Sequence, residues 1–241
     1  MENFLLFNHS SEEMPEIDSG SVDLVLFSPP YNTIPCYDSS PEIMGWDKYG
    51  LMMEKVISEC FRVLNKKGIL FIESADTVCS QGTYVSLAGL LQKIALDKGF
   101  YLISRNISFV KMNGKIELPD TGWNEKYFAE RNAHSNCQQH MVFSKQKKSF
   151  VGGEINYFNY PFEHNYSGQK SPKQEHPCPY PKELIEFVLD KYFKKGFVVL
   201  DAFAGTCTLG EEVLKRKGKF IGYDLSKKYL EIGRKRMEKV K

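Results

Sequence analysis

The sequence contains no run of about 18 apolar residues, so no segment reads as a membrane-crossing helix and no membrane partner is expected. Met1–Ser10 carries neither a basic stretch nor a small-residue cleavage site. No export signal is expected, and a cytoplasmic location is the default. Cysteine is sparse, with six residues at 36, 60, 79, 137, 178 and 207, none in a CxxC pair and none at zinc-ligand spacing with histidine. They read as reduced thiols, and no metal is expected. Charge of one sign is also scarce: the formal net charge is +2. This excludes a strongly basic nucleic-acid binder, and any such contact needs a local cluster. Internal repeats and low-complexity tracts are absent.

What is present is enough apolar material for one large domain. The 241 residues suffice for a single α/β domain spanning 1–241 with a sizeable core, and not for two full domains and a linker. Val22–Phe27 (VDLVLF) and Ile69–Glu73 (ILFIE) are short apolar runs that read as buried strands. Leu51–Leu64 places Met53, Ile57, Cys60, Phe61 and Leu64 at helical spacing, and Lys66-Lys67-Gly68 ends that helix. Thr83–Lys98 reads as a helix closed by Gly99; Phe100–Val110 and His140–Ser144 read as strands. A helix opens at Pro181, followed by strand Phe197–Leu200, helix Cys207–Lys217, strand Phe220–Tyr223 and helix Ser226–Val240. Strands alternating with helices predict a parallel-rich sheet covered on both faces. Residues 111–139 and 146–180 break the rhythm with Asn, Gly, Pro, Lys and aromatics, and loops of that length usually serve a function.

Two turns carry the chemistry. Ser28-Pro29-Pro30-Tyr31 follows the first buried strand directly. Ligands of doubly wound sheets sit outside the carboxyl ends of strands. Two prolines stiffen the turn and fix its carbonyl directions. Carbonyl and hydroxyl acceptors held this way can accept both hydrogens of an NH2 group, while Tyr31 stacks on a flat ring. Taken alone, the tetrapeptide equally reads as a rigid end to a strand. The second turn, Asp201-Ala202-Phe203-Ala204-Gly205-Thr206, joins a strand to a helix start, where backbone can approach a ligand. Cys207 stands where a dinucleotide fingerprint would have glycine, so a pyrophosphate cradle is not expected. Asp224 ends the next strand, suited either to ribose hydroxyls or to capping the helix that starts at Ser226.

Together, DLVLFSPPYN (23–32), the block 199–236 and EHPCPYPKEL (175–184) resemble the amino-methylating DNA methyltransferases over most of the chain. The catalytic tetrapeptide precedes the cofactor turn, an order similar to the permuted subgroup called the β class. The resemblance implies a class I S-adenosylmethionine-dependent methyltransferase with a Rossmann-like, doubly wound mixed sheet. It implies that Ser28, Pro29, Pro30 and Tyr31 are catalytic. It implies that Asp201, Phe203, Ala204, Gly205, Thr206 and Asp224 bind the cofactor, with His176-Pro177 over its methionine end and Asn8-His9-Ser10 beside its adenine. Cys207 departs from the usual small residue of the turn.

Serine at 28 resembles the cytosine-N4 enzymes, whereas aspartate there is typical of adenine-N6 enzymes; cytosine N4 is therefore the expected target, with adenine N6 as the alternative. A catalytically inactive cofactor- or DNA-binding subunit is the reading from another class, and methylation of RNA or protein a third. Cys36 is not read as a nucleophile, because amine methylation needs no thiol. Basic residues interleaved with aromatics suit a surface for double-stranded DNA: Lys111, Lys115, Lys126 and Arg131 with Trp123, Tyr127 and Phe128, then Lys145, Lys147 and Lys148 before Phe150 and Tyr157. Any one of them equally reads as a solvated loop residue. Segments 111–139 and 146–172 are the expected DNA-facing loops. Their shortness suggests a homodimer or another partner; whether a restriction endonuclease accompanies the chain is left open.

Overall fold

A computed structural model describes residues 3–32, 44–80, 83–109, 133–134, 137–147 and 180–240. Its elements, in chain order, begin with β1 (Phe4–Phe7), β2 (Val22–Phe27), α1 (Trp46–Val63) and β3 (Leu64–Ala75). Next come β4 (Val78–Ser80), β5 (Thr83–Val85), α2 (Leu87–Asp97), β6 (Tyr101–Phe109), β7 (Ala133–His134) and β8 (Cys137–Ser144). The last group is α3 (Lys182–Tyr192), β9 (Val198–Asp201), α4 (Thr208–Lys215), β10 (Lys219–Tyr223) and α5 (Lys227–Met237). Seven strands form one sheet in the order β1-β10-β9-β2-β3-β8-β6, and β5-β4-β7 form a small second sheet. Strands β1, β10, β9, β2 and β3 run parallel, and β8 opposes both β3 and β6.

The central strands are apolar on both faces because helices cover both. Along β2, Val25 and Phe27 enter one core layer with Tyr49, Met53 and Ile57 of α1 and Leu91 of α2. Leu24 and Leu26 enter the other, with Leu184 and Val188 of α3, Leu209 and Val213 of α4, and Leu230 of α5. This is the two-residue period of a strand read against two helical layers. Asp23 lies at the irregularity between Val22 and Leu24; its carboxylate accepts the Val198 N–H at 2.8 Å and the Asn65 side-chain N–H at 2.8 Å, tying β2 to both neighbours.

Three expectations needed correction. The helix expected from Leu51 begins at Trp46, because Trp46 and Tyr49 continue the buried stripe of Met53 and Asp47 suits the positive first turn. Thr83–Lys98 is not one helix. Thr83–Val85 is a strand, and Ser86 caps α2 by accepting the Gly89 N–H at 3.3 Å; aromatic and β-branched Tyr84-Val85 prefer extended backbone, and serine is a natural helix start. Phe4–Phe7 was not expected as a strand, yet it pairs along its length with β10, from Phe4↔Phe220 to Phe7↔Tyr223.

Cys207 precedes α4 in the left-handed conformation at φ +56° and is fully buried. Its side chain packs on α5 at Gly233, where a built Cβ would lie 2.8 Å from the Cys207 Cβ. The missing glycine at 207 is thus matched by a glycine at 233. Gly233→Ala is expected to lower unfolding free energy by about 1–3 kcal/mol through overpacking. Adding Cys207→Gly should recover most of it, since glycine frees the space and tolerates positive φ. Urea unfolding of the single and double variants checks this; a double variant no more stable than Gly233→Ala alone refutes it.

Candidate active site

The strand order reverses direction of growth between β9 and β2, which makes their carboxyl ends the crevice of the sheet. Their parallel pairing, Val25↔Leu200, puts the turn after Phe27 and the turn after Asp201 at the same edge, as the sequence led us to expect.

The Ser28–Tyr31 turn is held from several sides. The fully buried Tyr49 donates its hydroxyl to the Pro30 carbonyl at 2.9 Å. Among the described residues, no hydrogen bond reaches the neighbouring Pro29 carbonyl, so that acceptor is available. Asn32, at φ +56°, accepts the Met44 N–H at 3.0 Å and donates to the Met44 carbonyl at 2.8 Å, joining the two described ends flanking 33–43. Tyr31 donates its hydroxyl to Gln138 at 2.8 Å and lies 3.3 and 3.4 Å from the Glu73 oxygens. The Ser28 side chain lies close enough to Glu73 to favour its charged form. A serine hydroxyl has oxygen lone pairs for an incoming N–H and a proton to give.

The second turn is built from backbone. Asp201 accepts the Phe203 N–H at 3.0 Å, Ala204 donates to the Tyr223 carbonyl at 2.8 Å, and Gly205, at φ +50°, donates to Asp224 Oδ2 at 2.8 Å. The other Asp224 oxygen accepts the Ser226 N–H at 2.8 Å. Ser226 itself caps α5, accepting the Tyr229 N–H at 3.2 Å. Ser226 is thus the cap of α5, and Asp224 supports the helix start through the Ser226 N–H while joining β10 to the glycine turn; lone pairs on both its oxygens remain for further donors. The Thr206 carbonyl accepts from Arg236 at 3.2 Å. Asn8 donates to the carbonyls of Asp224 and Leu225 at 3.0 and 2.9 Å, so the segment 8–10 does lie beside Asp224. His9 turns to Glu16 at 2.8 Å and to the Ser10 carbonyl at 3.0 Å. Partial burial disfavours the His9 charge, but the Ser10 carbonyl and Glu16 outweigh it and raise its pKa. Ser10 donates to Glu12 at 3.1 Å.

Three carboxylates meet in this crevice. Burial pushes Asp201 up to about 8, although the Phe203 N–H opposes it, and it pushes Glu73 up to about 6. Asp224 is raised too, mainly by burial. Asp201 has no exposure, and its Oδ2 is buried without a hydrogen-bond partner among the described residues. It shapes the turn from beneath rather than presenting a carboxylate at its surface. The exposed apolar Leu225 next to Asp224 fits a nucleoside, with hydroxyls toward the carboxylate and a flat ring on the leucine.

The basic residues divide. Ser144 pairs with Ile69, which pairs in turn with Leu24 near the start of β2, so Lys145 and Lys147 lie toward the sheet edge opposite Ser28. Lys145 donates to the Leu64 carbonyl at 2.7 Å, sits 4.5 Å above the Phe61 ring, and has its pKa lowered by burial. Both are therefore removed from the expected DNA surface; sequence spacing could not reveal that β8 runs away from the site. Lys111, Lys115, Lys126, Arg131, Lys148, His176 and Pro177 lie outside the described residues, as does Cys36. The chain leaves β6 at Phe109 and re-enters β8 at Cys137, paired residues at the same edge as the two turns. Sequence reading missed Glu73, Gln138, Tyr49 and Tyr180. Glu73 left one signal, a carboxylate closing the otherwise apolar run ILFIE.

Glu73 leads to a stability test. Its folded pKa of about 6 exceeds the ordinary 4.5, so the fold holds this proton more tightly than the unfolded chain does. The stability gained is fully present below pH 4.5 and is lost as pH rises through about 6, a loss of about 2 kcal/mol. Glu73→Gln should therefore be more stable than the parent at pH 7.5 by up to about that amount, and equal to it near pH 4. Denaturant unfolding at the two pH values decides; equal stability at pH 7.5 contradicts the burial argument.

Comparison with known proteins agrees with this geometry. The family model N6_N4_Mtase, described as DNA methylase, matches residues 22–235. DNA adenine methyltransferase YhdJ of Escherichia coli (strain K12) is 25% identical over 94% of this chain and 79% of its own length. The fold is similar to that of PvuII DNA methyltransferase (cytosine-N4-specific), with TM-score 0.72, 19% identity, and coverage of 98% of this chain and 86% of that one. It is also similar to a DNA modification methylase of Thermus thermophilus complexed with S-adenosyl-L-methionine, with TM-score 0.67, 20% identity, and coverage of 97% and 94%. With the Ser28–Tyr31 turn and the Asp201–Thr206 turn side by side on a doubly wound sheet, and the family match running across both, the chain belongs to the S-adenosylmethionine-dependent amino-methylating DNA methyltransferases.

Proposed function

We propose that this enzyme methylates the exocyclic N4 of cytosine in double-stranded DNA, with Ser28, Pro29, Pro30 and Tyr31 as its catalytic turn. The observation that carries the reading is the β2–β9 pairing, which sets the Ser28–Tyr31 turn beside the Asp201–Thr206 turn. An exocyclic amine is a poor nucleophile because its lone pair is delocalised into the ring. The Ser28 oxygen and the Pro29 carbonyl accept its two hydrogens and favour a pyramidal nitrogen, and Tyr31 stacks on the base after it leaves the duplex. S-adenosylmethionine supplies an electrophilic sulfonium methyl. The transfer would break the sulfonium S–CH3 bond and release one amine proton, which the nearby Glu73 carboxylate would take up. Asp224 holds the ribose hydroxyls, the backbone of Phe203, Ala204, Gly205 and Thr206 lines the cofactor, and Asn8, His9 and Ser10 stand on its adenine side. His176 and Pro177 belong over its methionine end.

Serine at 28 and the cytosine-N4-specific structural neighbour favour cytosine. The adenine-methylating relative keeps adenine N6 as the second reading. Lys111, Lys115, Lys126 and Arg131 are proposed for the DNA-facing rim, because their segment departs from and returns to the catalytic edge. Two such rims in a homodimer would supply the area that a specific DNA interface needs, about 1,000–2,500 Å² of protein. A cognate restriction endonuclease fits this activity as a biological partner.

Incubation with duplex DNA and labelled cofactor, followed by nucleoside mass analysis, tests the reading. N4-methylcytosine is expected; N6-methyladenine replaces it with the second reading, and bound cofactor without any methylated base points to an inactive subunit. Asp224→Ala should weaken cofactor affinity roughly ten- to hundredfold, the cost of a charge-assisted hydrogen bond, by calorimetry. Ser28→Ala should instead lower turnover with cofactor affinity kept. Replacing Lys111, Lys115 and Arg131 by alanine should weaken binding to all sequences alike and flatten its salt dependence; an unchanged salt slope removes them from the rim.

A further inference from the structure

Tyr180 is the first described residue after 148–179, and it is held by Pro181, the extended residue that opens α3. Its ring packs against the core layer of α3, α4 and α5. Its hydroxyl oxygen accepts the backbone N–H of Ser28 at 2.6 Å. A hydroxyl that accepts in this way still has its own proton to give. Among the described residues no other acceptor takes that proton, while Asp201 Oδ2 is a buried acceptor without a donor. The two groups are neighbours: the Tyr180 hydroxyl favours the charged form of Asp201, and the Asp201 charge disfavours ionisation of Tyr180. An unpaired buried carboxylate oxygen is costly, and a small shift that brings the phenol and the carboxylate into bonding geometry removes that cost.

We propose that Tyr180 is a positioning residue that ties the catalytic turn to the cofactor turn through the chain Ser28 N–H to Tyr180 O–H to Asp201 carboxylate. Each turn rises from a different strand, and α3 belongs to neither. In-line transfer demands that nitrogen and methyl carbon meet within a few tenths of an ångström, and a displacement of about 1 Å can cost a hundredfold. Asp201 fixes the cofactor turn through the Phe203 N–H, and Ser28 carries the acceptor for the amine. One phenol oxygen bonded to both sets the spacing between them. Phenylalanine would fill the same volume and lose only this link.

The inference rests on Ser28–Tyr31 being the catalytic turn, and the experiment separates the two claims. Single-turnover methylation is measured with saturating S-adenosylmethionine and duplex DNA for the parent, Tyr180→Phe, Asp201→Asn, the double variant and Ser28→Ala. Calorimetric cofactor affinity and DNA affinity are measured alongside. Tyr180→Phe is expected to slow the methyl-transfer step about tenfold or more while DNA affinity stays within about twofold. The double variant should be no slower than the slower single variant, because both break one chain. Parental speed in Tyr180→Phe, or single effects that multiply in the double variant, overturns the proposal. If Ser28→Ala keeps full turnover, the catalytic-turn reading fails and takes the proposal with it. If Ser28→Ala is impaired and Tyr180→Phe is not, the Tyr180 claim alone fails. Amide hydrogen exchange of Ser28 in the parent protein gives a readout that needs no variant to fold. Protection of that N–H is expected, and exchange at the open-chain rate overturns the proposal.

Discussion

The parallel pairing of β2 with β9 is the contact on which the site depends. Leu24↔Val199 and Val25↔Leu200 are all the register that joins the two halves of the sheet, and both halves are useless for transfer without it. The pairing is stable because each strand is apolar on both faces and each face is covered by helices. It has a fixed consequence. Two parallel neighbours must end at the same edge, so the loop that leaves Phe27 and the loop that leaves Asp201 open into one crevice. Asp23 adds to the restraint by gripping Val198 and Asn65, which pins the start of β2 while its end carries the chemistry. On the far side of β9, β10 and β1 repeat the logic: Asn8 bridges to the carbonyls after Tyr223 and brings the segment 8–10 to the acid that closes β10.

The crevice is also where the fold departs from what stability alone would choose. Glu73 and Asp201 are buried carboxylates held against their desolvation by few partners, and burial raises both pKa values. A hydrophobic residue at either position would fit the surrounding core with less strain on the fold. The polar row explains its retention. Glu73 lies by the Ser28 side chain and faces the Tyr31 hydroxyl, and Gln138 holds the same tyrosine from β8. Stability given up at such places is a common accompaniment of function.

Much of the fold was legible in the sequence, and the reasons for success and failure are local. VDLVLF and ILFIE could be read as buried strands because, apart from Asp23 and Glu73, their positions on both faces are apolar. The two turns could be placed because each follows such a run. Phe4–Phe7 could not: four residues contain too little periodicity, and only pairing with β10 makes them a strand. Thr83–Val85 was lost inside a helical pattern because its apolar residues happened to fall in phase with α2. Of the site, the motif residues were visible and their supports were not. Gln138, Tyr49 and Tyr180 reach the catalytic turn from other elements, and no spacing along the chain encodes that approach. The reverse error occurred with Lys145 and Lys147. Their composition suggested a phosphate surface, but strand direction carries them to the wrong edge, where Lys145 is spent on the Leu64 carbonyl and the Phe61 ring.

Cys207 shows how a departure from a motif is absorbed. A side chain at this place carries two costs: the left-handed backbone of a non-glycine residue, and the space its sulfur needs at a helix start. The structure meets the second by removing a side chain elsewhere, at Gly233, where α5 crosses the turn. The first is tolerated because the Cys207 N–H still reaches the Ala204 carbonyl at 2.8 Å and the Gly205 N–H still reaches Asp224. The backbone of the turn therefore keeps its shape, and the substitution is confined to the side of the turn that faces the core. A motif read as a string of letters counts Cys207 as a defect. Read as geometry, the turn is the path of the backbone from Asp201 to Thr206, and the identity at 207 is free to vary as long as position 233 yields the room.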